Sequence, residues 1–175
     1  YFSHDGELIV FQGVPAPAEG EEPSPHYGMY ITAPIRVANA DHERIVLSPP
    51  RPVSTSGSAN TCGWFHPHDS LLLLYGSTLE QPNEEKVPGY QRESGRYSWA
   101  FPSEMEIVTQ VISGDDWAQP VASQSEVVFK KPGYTAECSY SPDGRFILYA
   151  NVDEAKSNAA GRPDADLWIY DTETE

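Results

Sequence analysis

Cysteine is nearly absent from the sequence, which has two, Cys62 and Cys138, among its 175 residues. Two thiols are too few to staple the fold with disulfides or to supply a closed Cys-rich zinc site. Long hydrophobic runs are also absent, so the sequence predicts no membrane insertion and shows no signal peptide. Because Tyr1 opens directly into strand-like sequence, we expect the numbering to begin inside a larger precursor, with any targeting segment upstream.

Positive charge is scarce, since 11 Lys and Arg stand against 26 Asp and Glu and the formal net charge is -15. A field of this sign repels phosphate backbones and anionic lipid surfaces. The composition therefore argues against nucleic acid as a partner. It leaves basic proteins, cationic peptides and divalent cations open, although a charge of this size also serves solubility alone.

The sequence has no long stretch of Leu, Ala, Glu and Lys with helical periodicity. Its 16 Pro and 13 Gly lie mostly between short apolar runs, a pattern typical of strands joined by turns. With 39% hydrophobic residues, including ten Tyr, six Phe and four Trp, the chain has enough large apolar side chains to form a core. We therefore predict an all-β fold.

One local phrase occurs three times, starting at Phe2, Phe65 and Tyr140, and each copy is an aromatic residue, a polar turn and an apolar strand. Further short strands are predicted between the copies. With them, each repeat has three or four antiparallel strands, as in a propeller blade. The predicted strands between the copies are Tyr27–Thr32, Arg44–Leu47, Glu106–Ile112, Glu126–Phe129 and Asp166–Tyr170.

The turn of the phrase is Asp-Gly in two copies, at Asp5 and Gly6 and at Asp143 and Gly144. Glycine accepts a positive φ without a Cβ clash, and the aspartate carboxylate bonds nearby backbone amides, so these four residues are predicted structural turns. The middle copy lacks the glycine, and its turn is expected to be longer or less ideal.

The repeats are longer than the roughly 40 to 45 residues of a compact propeller repeat. The excess lies in three insertions, at residues 13–26, 81–102 and 154–165. Each follows the second strand of its repeat, which predicts that all three emerge on one face, where added loops can carry recognition.

The third repeat resembles the WD-like repeat of TolB-type β-propellers. In this chain, Ser141-Pro142-Asp143-Gly144 precedes an apolar strand, and a second strand begins with Asp-Leu-Trp at Asp166. The resemblance implies a partial propeller, residues 1–175, with about two to three four-stranded antiparallel blades at 1–59, 60–133 and 134–175. It also implies that the chain is part of a larger propeller, in a periplasmic or secreted setting.

Three residues are predicted to lie near the central channel of such a propeller: Cys62, Glu137 and Cys138. Cys62 and Cys138 come just before their copies of the phrase, on neighbouring innermost strands. Because adjacent blades diverge and a disulfide needs its Cα atoms roughly 4.4 to 6.8 Å apart, we expect free thiols. The carboxylate of Glu137 could bind a cation or a basic group there, or it could be a solvated acid.

The sequence contains no catalytic constellation. It has no Gly-x-Ser-x-Gly elbow, no cysteine with an arranged histidine, no phosphate-binding glycine loop and no His-Glu-x-x-His helix. His66, His68 and Asp69 offer metal ligands within four positions, but neighbouring residues of one tight turn seldom converge on an ion. We predict no enzyme activity, no cofactor and no metal site in this chain.

One segment, residues 90–101, gathers aromatic and basic residues inside an otherwise acidic chain. Trp, Tyr and Arg are the residue types enriched at interface hot spots, which predicts a protein-binding surface. The alternative is a loop that covers a blade edge with its own aromatics. The candidate binding residues are Tyr90, Arg92, Arg96, Tyr97, Trp99 and Phe101.

These observations favour a non-catalytic β-propeller module for protein–protein interaction or scaffolding. The alternative is the regulatory propeller of a prolyl-oligopeptidase-like serine hydrolase, whose catalytic domain would lie outside this chain. A sugar-binding or lyase propeller is a third option, supported only by exposed aromatics.

Overall fold

A computed structural model describes residues 1–38, 42–83, 89–91, 95–113, 121 and 124–174, with the backbone alone at 89–91 and 96–98. Every strand pairing in it is antiparallel, and the predicted all-β class is confirmed. The elements are β1 Ile9–Gly13, β2 Gly28–Thr32, β3 Pro34–Ala38, β4 Glu43–Leu47, β5 Arg51–Pro52, β6 Asn60–His66, β7 Asp69–Ser77, β8 Gly89–Gln91, β9 Arg96–Ser98, β10 Glu106–Val111, β11 Glu126–Phe129, β12 Tyr134–Tyr140, β13 Phe146–Val152, α1 Glu154–Ala160 and β14 Ala165–Asp171.

Three of the sheets follow one plan. The first has the order β1-β2-β5, the second β11-β10-β7-β6 and the third β12-β13-β14, so sequential strands are neighbours in each. In the first sheet, an isolated bridge from Phe2 to Ile9 takes the position of the strand that precedes β7 and β13 in the other two. The repeated phrase therefore marks the same turn in three successive sheets.

The two Asp-Gly turns have the same construction. Asp5 Oδ1 accepts hydrogen bonds from Ser3 Oγ at 2.6 Å and from the Glu7 amide at 3.0 Å. In the third repeat, Asp143 Oδ1 accepts from the Ser141 hydroxyl and the Arg145 amide at 2.5 and 3.1 Å. The glycines that follow have φ of 76° and 77°, a left-handed conformation that other residues rarely adopt.

The prediction that Arg44–Leu47 forms a strand of the first repeat's sheet is wrong. This segment is β4, and it pairs with β3 in a separate two-stranded ribbon. The edge of the first sheet is formed instead by β5, which pairs with Tyr30 and Ile31 of β2. Apolar residues of the ribbon are exposed, so this segment forms a strand as expected but lies outside the packed sheets.

The core lies between the faces of successive sheets. Leu74 and Ile107 of the second sheet contact Ile147 and Tyr149 of the third. The sheets approach closely at Gly76, where a Cβ would lie 3.1 Å from the Cβ of Ala136. The cluster between the first and second sheets consists of Leu8, Val10, Met29, Ile31, Val53, Phe65, Leu73, Tyr75, Val108, Ile112 and Val121.

The three long insertions all connect the second strand of a repeat to the third, namely β1 to β2, β7 to β10 and β13 to β14. Residues of the first two insertions lie near each other, because His26 and Tyr27 line one small pocket together with Pro82 and Trp99. The third insertion contains α1, which buries none of its residues.

Candidate functional site

The structure brings the three predicted channel residues together in a thiol–carboxylate cluster, defined here as Thr61, Cys62, Tyr134, Glu137 and Cys138. The Cys62 thiol donates to Glu137 Oε2 at 2.6 Å. The hydroxyls of Tyr134 and Thr61 donate to Oε1 of the same carboxylate at 2.7 and 3.2 Å. One carboxylate thus accepts three hydrogen bonds and connects β6 to β12.

Irregular backbone on both strands forms this cluster. Cys62 has φ of 48° and Glu137 has φ of 57°, and the strand register shifts beside each residue. Each lies three residues before the aromatic of its phrase, Phe65 or Tyr140, so the irregularity repeats at equivalent positions. Such bulges redirect side chains, and here they allow a thiol of one strand to meet a carboxylate of the next.

Burial determines the protonation of the cluster. Burial, strengthened by the hydrogen bond to Glu137, raises the pKa of the Cys62 thiol to about 11. Burial also raises the pKa of Cys138 and of Tyr134 well above their ordinary values. All three groups keep their protons at neutral pH, so Cys62 acts as a hydrogen-bond donor and not as a nucleophile.

Both cysteines are free thiols, and their environments differ. Cys138 is buried in the core between the second and third sheets, with its sulfur 3.8 Å from the carbonyl oxygen of Cys62. Cys62 and Glu137 are half-buried. Of the three residues predicted to face a channel, these two retain access to solvent and Cys138 does not.

The predicted binding segment is described only in part. Arg92 lies outside the described residues, and Tyr90, Arg96 and Tyr97 belong to the β8–β9 hairpin, of which the backbone alone is described. Trp99 and Phe101 are half-buried, and the ring of Phe101 meets that of Tyr134 edge-on, with centroids 5.2 Å apart. These two aromatics cover the beginning of β12, next to the thiol–carboxylate cluster.

The histidines of the middle turn have structural contacts. His66 Nδ1 accepts a hydrogen bond from the His68 amide at 3.2 Å, and its ring meets Tyr140 edge-on, with centroids 4.9 Å apart. Within the described residues, no group of three or more His, Cys, Asp or Glu is arranged to hold a metal ion.

A large cleft, which was not predicted from the sequence, lies at the boundary between the first and second sheets. Its volume is about 850 Å³, within the range of about 300 to 1,000 Å³ typical of small-molecule sites. Hydroxyl and amide side chains line much of it. These polar lining residues are Ser24, Ser54, Thr55, Ser56, Ser58, Gln110, Gln124 and Ser125.

The polar lining comes from four parts of the chain, one of which is β10 with Gln110. Residues 54–58 form a turn after β5, in which the Ser58 hydroxyl donates to the Thr55 carbonyl at 2.7 Å. Ser24 and His26 come from the first insertion, and Ser125 precedes β11. Since these segments are far apart in sequence, only the serine-rich run at 54–58 could have suggested the cleft in advance.

Two titratable side chains line the cleft without partners among the described residues. His26 is 7% exposed, its imidazole makes no hydrogen bond to another described residue, and burial lowers its pKa. Glu80 is exposed, and its carboxylate forms neither a hydrogen bond nor an ion pair within the described chain. No lysine or arginine is among the described residues that line this cleft.

Searches against protein-family models and against curated proteins found no matching family and no matching protein. In the described part of the chain, no helix has the length and apolar character needed to span a bilayer.

Proposed function

We propose that the chain forms three successive blades of a TolB-like β-propeller and serves as a non-catalytic protein-binding module in a periplasmic or secreted setting. One observation carries the proposal: all three long insertions connect the second and third strands of their sheets, and residues of the first two line one small pocket. Rigid sheets with variable loops at one edge suit recognition by loops.

The arrangement of the sheets supports the propeller. Leu74 of β7 and Leu148 of β13 are equivalent, since each pairs with the residue before the aromatic of its phrase. Leu74 is covered by the third sheet, whereas Leu148 is 43% exposed. Leu167 and Ile169 of β14 share that open face and are 76% and 68% exposed. In a larger propeller, a further blade would cover Leu148, Leu167 and Ile169 as the third sheet covers Leu74 of the second.

The negative net charge of the chain supports a basic protein as its partner. The chain has a formal net charge of -15, which attracts cationic surfaces and speeds their association at low ionic strength. The partner surface is the edge that bears the insertions, including Trp99 and Phe101.

The binding proposal is tested by using the chain as bait to capture protein partners from an extract of the organism that makes it. We compare the wild-type chain with variants in which residues 14–25 or 81–98 are replaced by short Gly-Ser linkers. The expected result is a basic protein that copurifies with the wild type and is lost from at least one variant. His68→Ala, in the turn between β6 and β7, is the control and should retain the partner. Equal recovery by all forms would contradict the proposal.

The regulatory-propeller alternative predicts a different gene structure. Sequencing the flanking regions would then reveal an α/β-hydrolase domain with a Gly-x-Ser-x-Gly elbow, and the binding-module proposal would fail.

A further inference from the structure

We propose that the cleft between the first and second sheets binds a peptide segment of the partner through a protruding lysine or arginine side chain. This inference rests on the proposed binding function and assigns its contact site. The cleft is large enough for several residues, since its volume is about 850 Å³.

The charges of the lining residues determine whether the cleft favours an anionic or a cationic ligand. Glu80 is the one carboxylate among the described lining residues, and no described cation opposes it there. An anionic ligand would find no cation among the described lining residues and would meet the field of a chain with net charge -15. An ammonium or guanidinium group, in contrast, gains a charge-assisted hydrogen bond with Glu80.

The neutral polar groups suit a cation as well. Burial lowers the pKa of His26, so its imidazole is neutral at neutral pH and has one nitrogen that can accept a hydrogen bond. Serine hydroxyls and the side-chain carbonyl of Gln124 along the cleft can accept hydrogen bonds too. The imidazole of His26 makes no hydrogen bond within the described chain, so a ligand donor can bind it without displacing a protein partner.

The apolar part of the lining suits the stem of a long basic side chain. Pro15, Tyr30, Pro52 and Leu79 are exposed or half-buried and give the cleft an accessible apolar surface above the buried residues Met29 and Val53. Lysine and arginine bury their methylene stems on apolar surface while their charged heads reach polar groups. A small polyol would leave this apolar strip uncovered, so a peptide fits the lining better.

The test uses three blocked hexapeptides of sequence acetyl-Ala-Ala-X-Ala-Pro-Ala-amide, where X is arginine, citrulline or glutamate. Citrulline matches arginine in shape and lacks its charge. Each peptide is titrated to 10 mM into the ¹⁵N-labelled chain while amide chemical shifts are followed. We expect the arginine peptide to shift the amides of residues 54–58 and 80, with an affinity at least tenfold above that of the citrulline peptide and no binding of the glutamate peptide.

Two variants assign the effect to the cleft. Glu80→Gln should lower the affinity for the arginine peptide about tenfold, to that of the citrulline peptide. Glu7→Gln, an exposed carboxylate next to the first Asp-Gly turn, is the matched control and should leave the affinity unchanged. Equal affinity for the arginine and citrulline peptides, shifts away from the cleft, or no shift at 10 mM would each overturn the inference.

The partner capture separates this inference from the proposed function. If Glu80→Gln retains the partner in full while an insertion variant loses it, the module binds its partner elsewhere and the cleft assignment fails alone. If no form of the chain captures a basic partner, the proposed function fails.

Discussion

At the residue scale, the thiol–carboxylate cluster shows how burial determines chemistry. Cys62 is half-buried and lies next to a carboxylate, a setting that invites comparison with an activated nucleophile. Burial, however, raises the thiol pKa to about 11, and the hydrogen bond to the negatively charged neighbour adds to the rise. Activation would need the opposite environment, a nearby cation or a helix N-terminus.

The reactivity of Cys62 follows from this pKa. At pH 8, iodoacetamide should alkylate Cys62 at least tenfold more slowly than it alkylates N-acetylcysteine, because so little thiolate is present. Peptide mapping by mass spectrometry over a time course gives the rate for each cysteine. Glu137→Gln removes the negative charge and should increase the rate at Cys62. A rate equal to that of the free amino acid derivative would contradict the hydrogen-bonded state.

The ion pair between Arg145 and Asp171 allows a second prediction, which concerns the pKa of the Asp171 carboxyl. The guanidinium donates to both carboxylate oxygens of Asp171, at 3.0 and 2.7 Å, and lowers the pKa of that group to about 2. Arg145→Met should bring this pKa close to its ordinary value of about 3.9, which an NMR titration of the side-chain carboxyl would measure.

The ion pair between Arg145 and Asp171 also makes the stability of the fold depend on pH. A lowered pKa in the folded state means that the pair stabilises the fold above about pH 4 and that this contribution is lost as the pH falls towards 2. Unfolding free energies of wild type and Arg145→Met should therefore converge in acid. Lys156→Met, which removes an exposed pair with Asp166, is the control and should show a smaller change.

At the element scale, the repeated Asp-Gly turn has the same backbone but different neighbours in its two copies. A Cβ on Gly6 would meet nothing within 4 Å. On Gly144 it would lie 2.6 Å from Nε2 of His66, a side chain that packs edge-on against Tyr140. The third repeat thus uses its glycine both for a left-handed turn and for close contact with the preceding turn.

Alanine substitutions should separate these two effects. Gly6→Ala should cost about 1 kcal/mol, the strain of a left-handed conformation. Gly144→Ala should cost about 2 to 4 kcal/mol, because His66 must also move. Urea unfolding of both variants measures the difference, and equal losses would show that the contact with His66 is unimportant.

How far the sequence predicts this structure depends on how local each feature is. The Asp-Gly turns were predictable, since their hydrogen bonds join residues within five positions. The strands that follow them were marked by the short apolar runs after each turn. The β3–β4 ribbon was not, because Arg44–Leu47 has a strand-like pattern whether it pairs with a sheet or with β3. The cleft was not predictable either, since His26, Ser54 and Glu80 meet only after the first two sheets have packed.

At the scale of the whole molecule, the main feature is the open apolar face of the third sheet. Leu148 and Ile169 lie directly opposite each other in the strand register, and Leu167 lies on the same side two residues earlier. Contiguous apolar surface of this kind marks a site of association.

We therefore expect the chain to self-associate through this face when no further sheet covers it. Sedimentation velocity over a range of concentrations should show a rising average mass for the wild type. The double variant Leu167→Lys, Ile169→Lys should remain monomeric and keep its unfolding free energy within about 0.5 kcal/mol for each exposed site. A matched pair on the exposed helix, Asn158→Lys with Ala159→Lys, should behave as wild type. A monomeric wild type would contradict the prediction.

All three insertions connect the second and third strands of their sheets, and this shared position has a practical consequence. Each begins and ends at strands whose register is set by pairing within their own sheet, so its length can change without shifting the neighbouring sheets. Residues 14–25 and 154–164 are therefore suitable positions for grafting foreign epitopes, and two grafts in one chain would be displayed on a single scaffold with the second sheet between them.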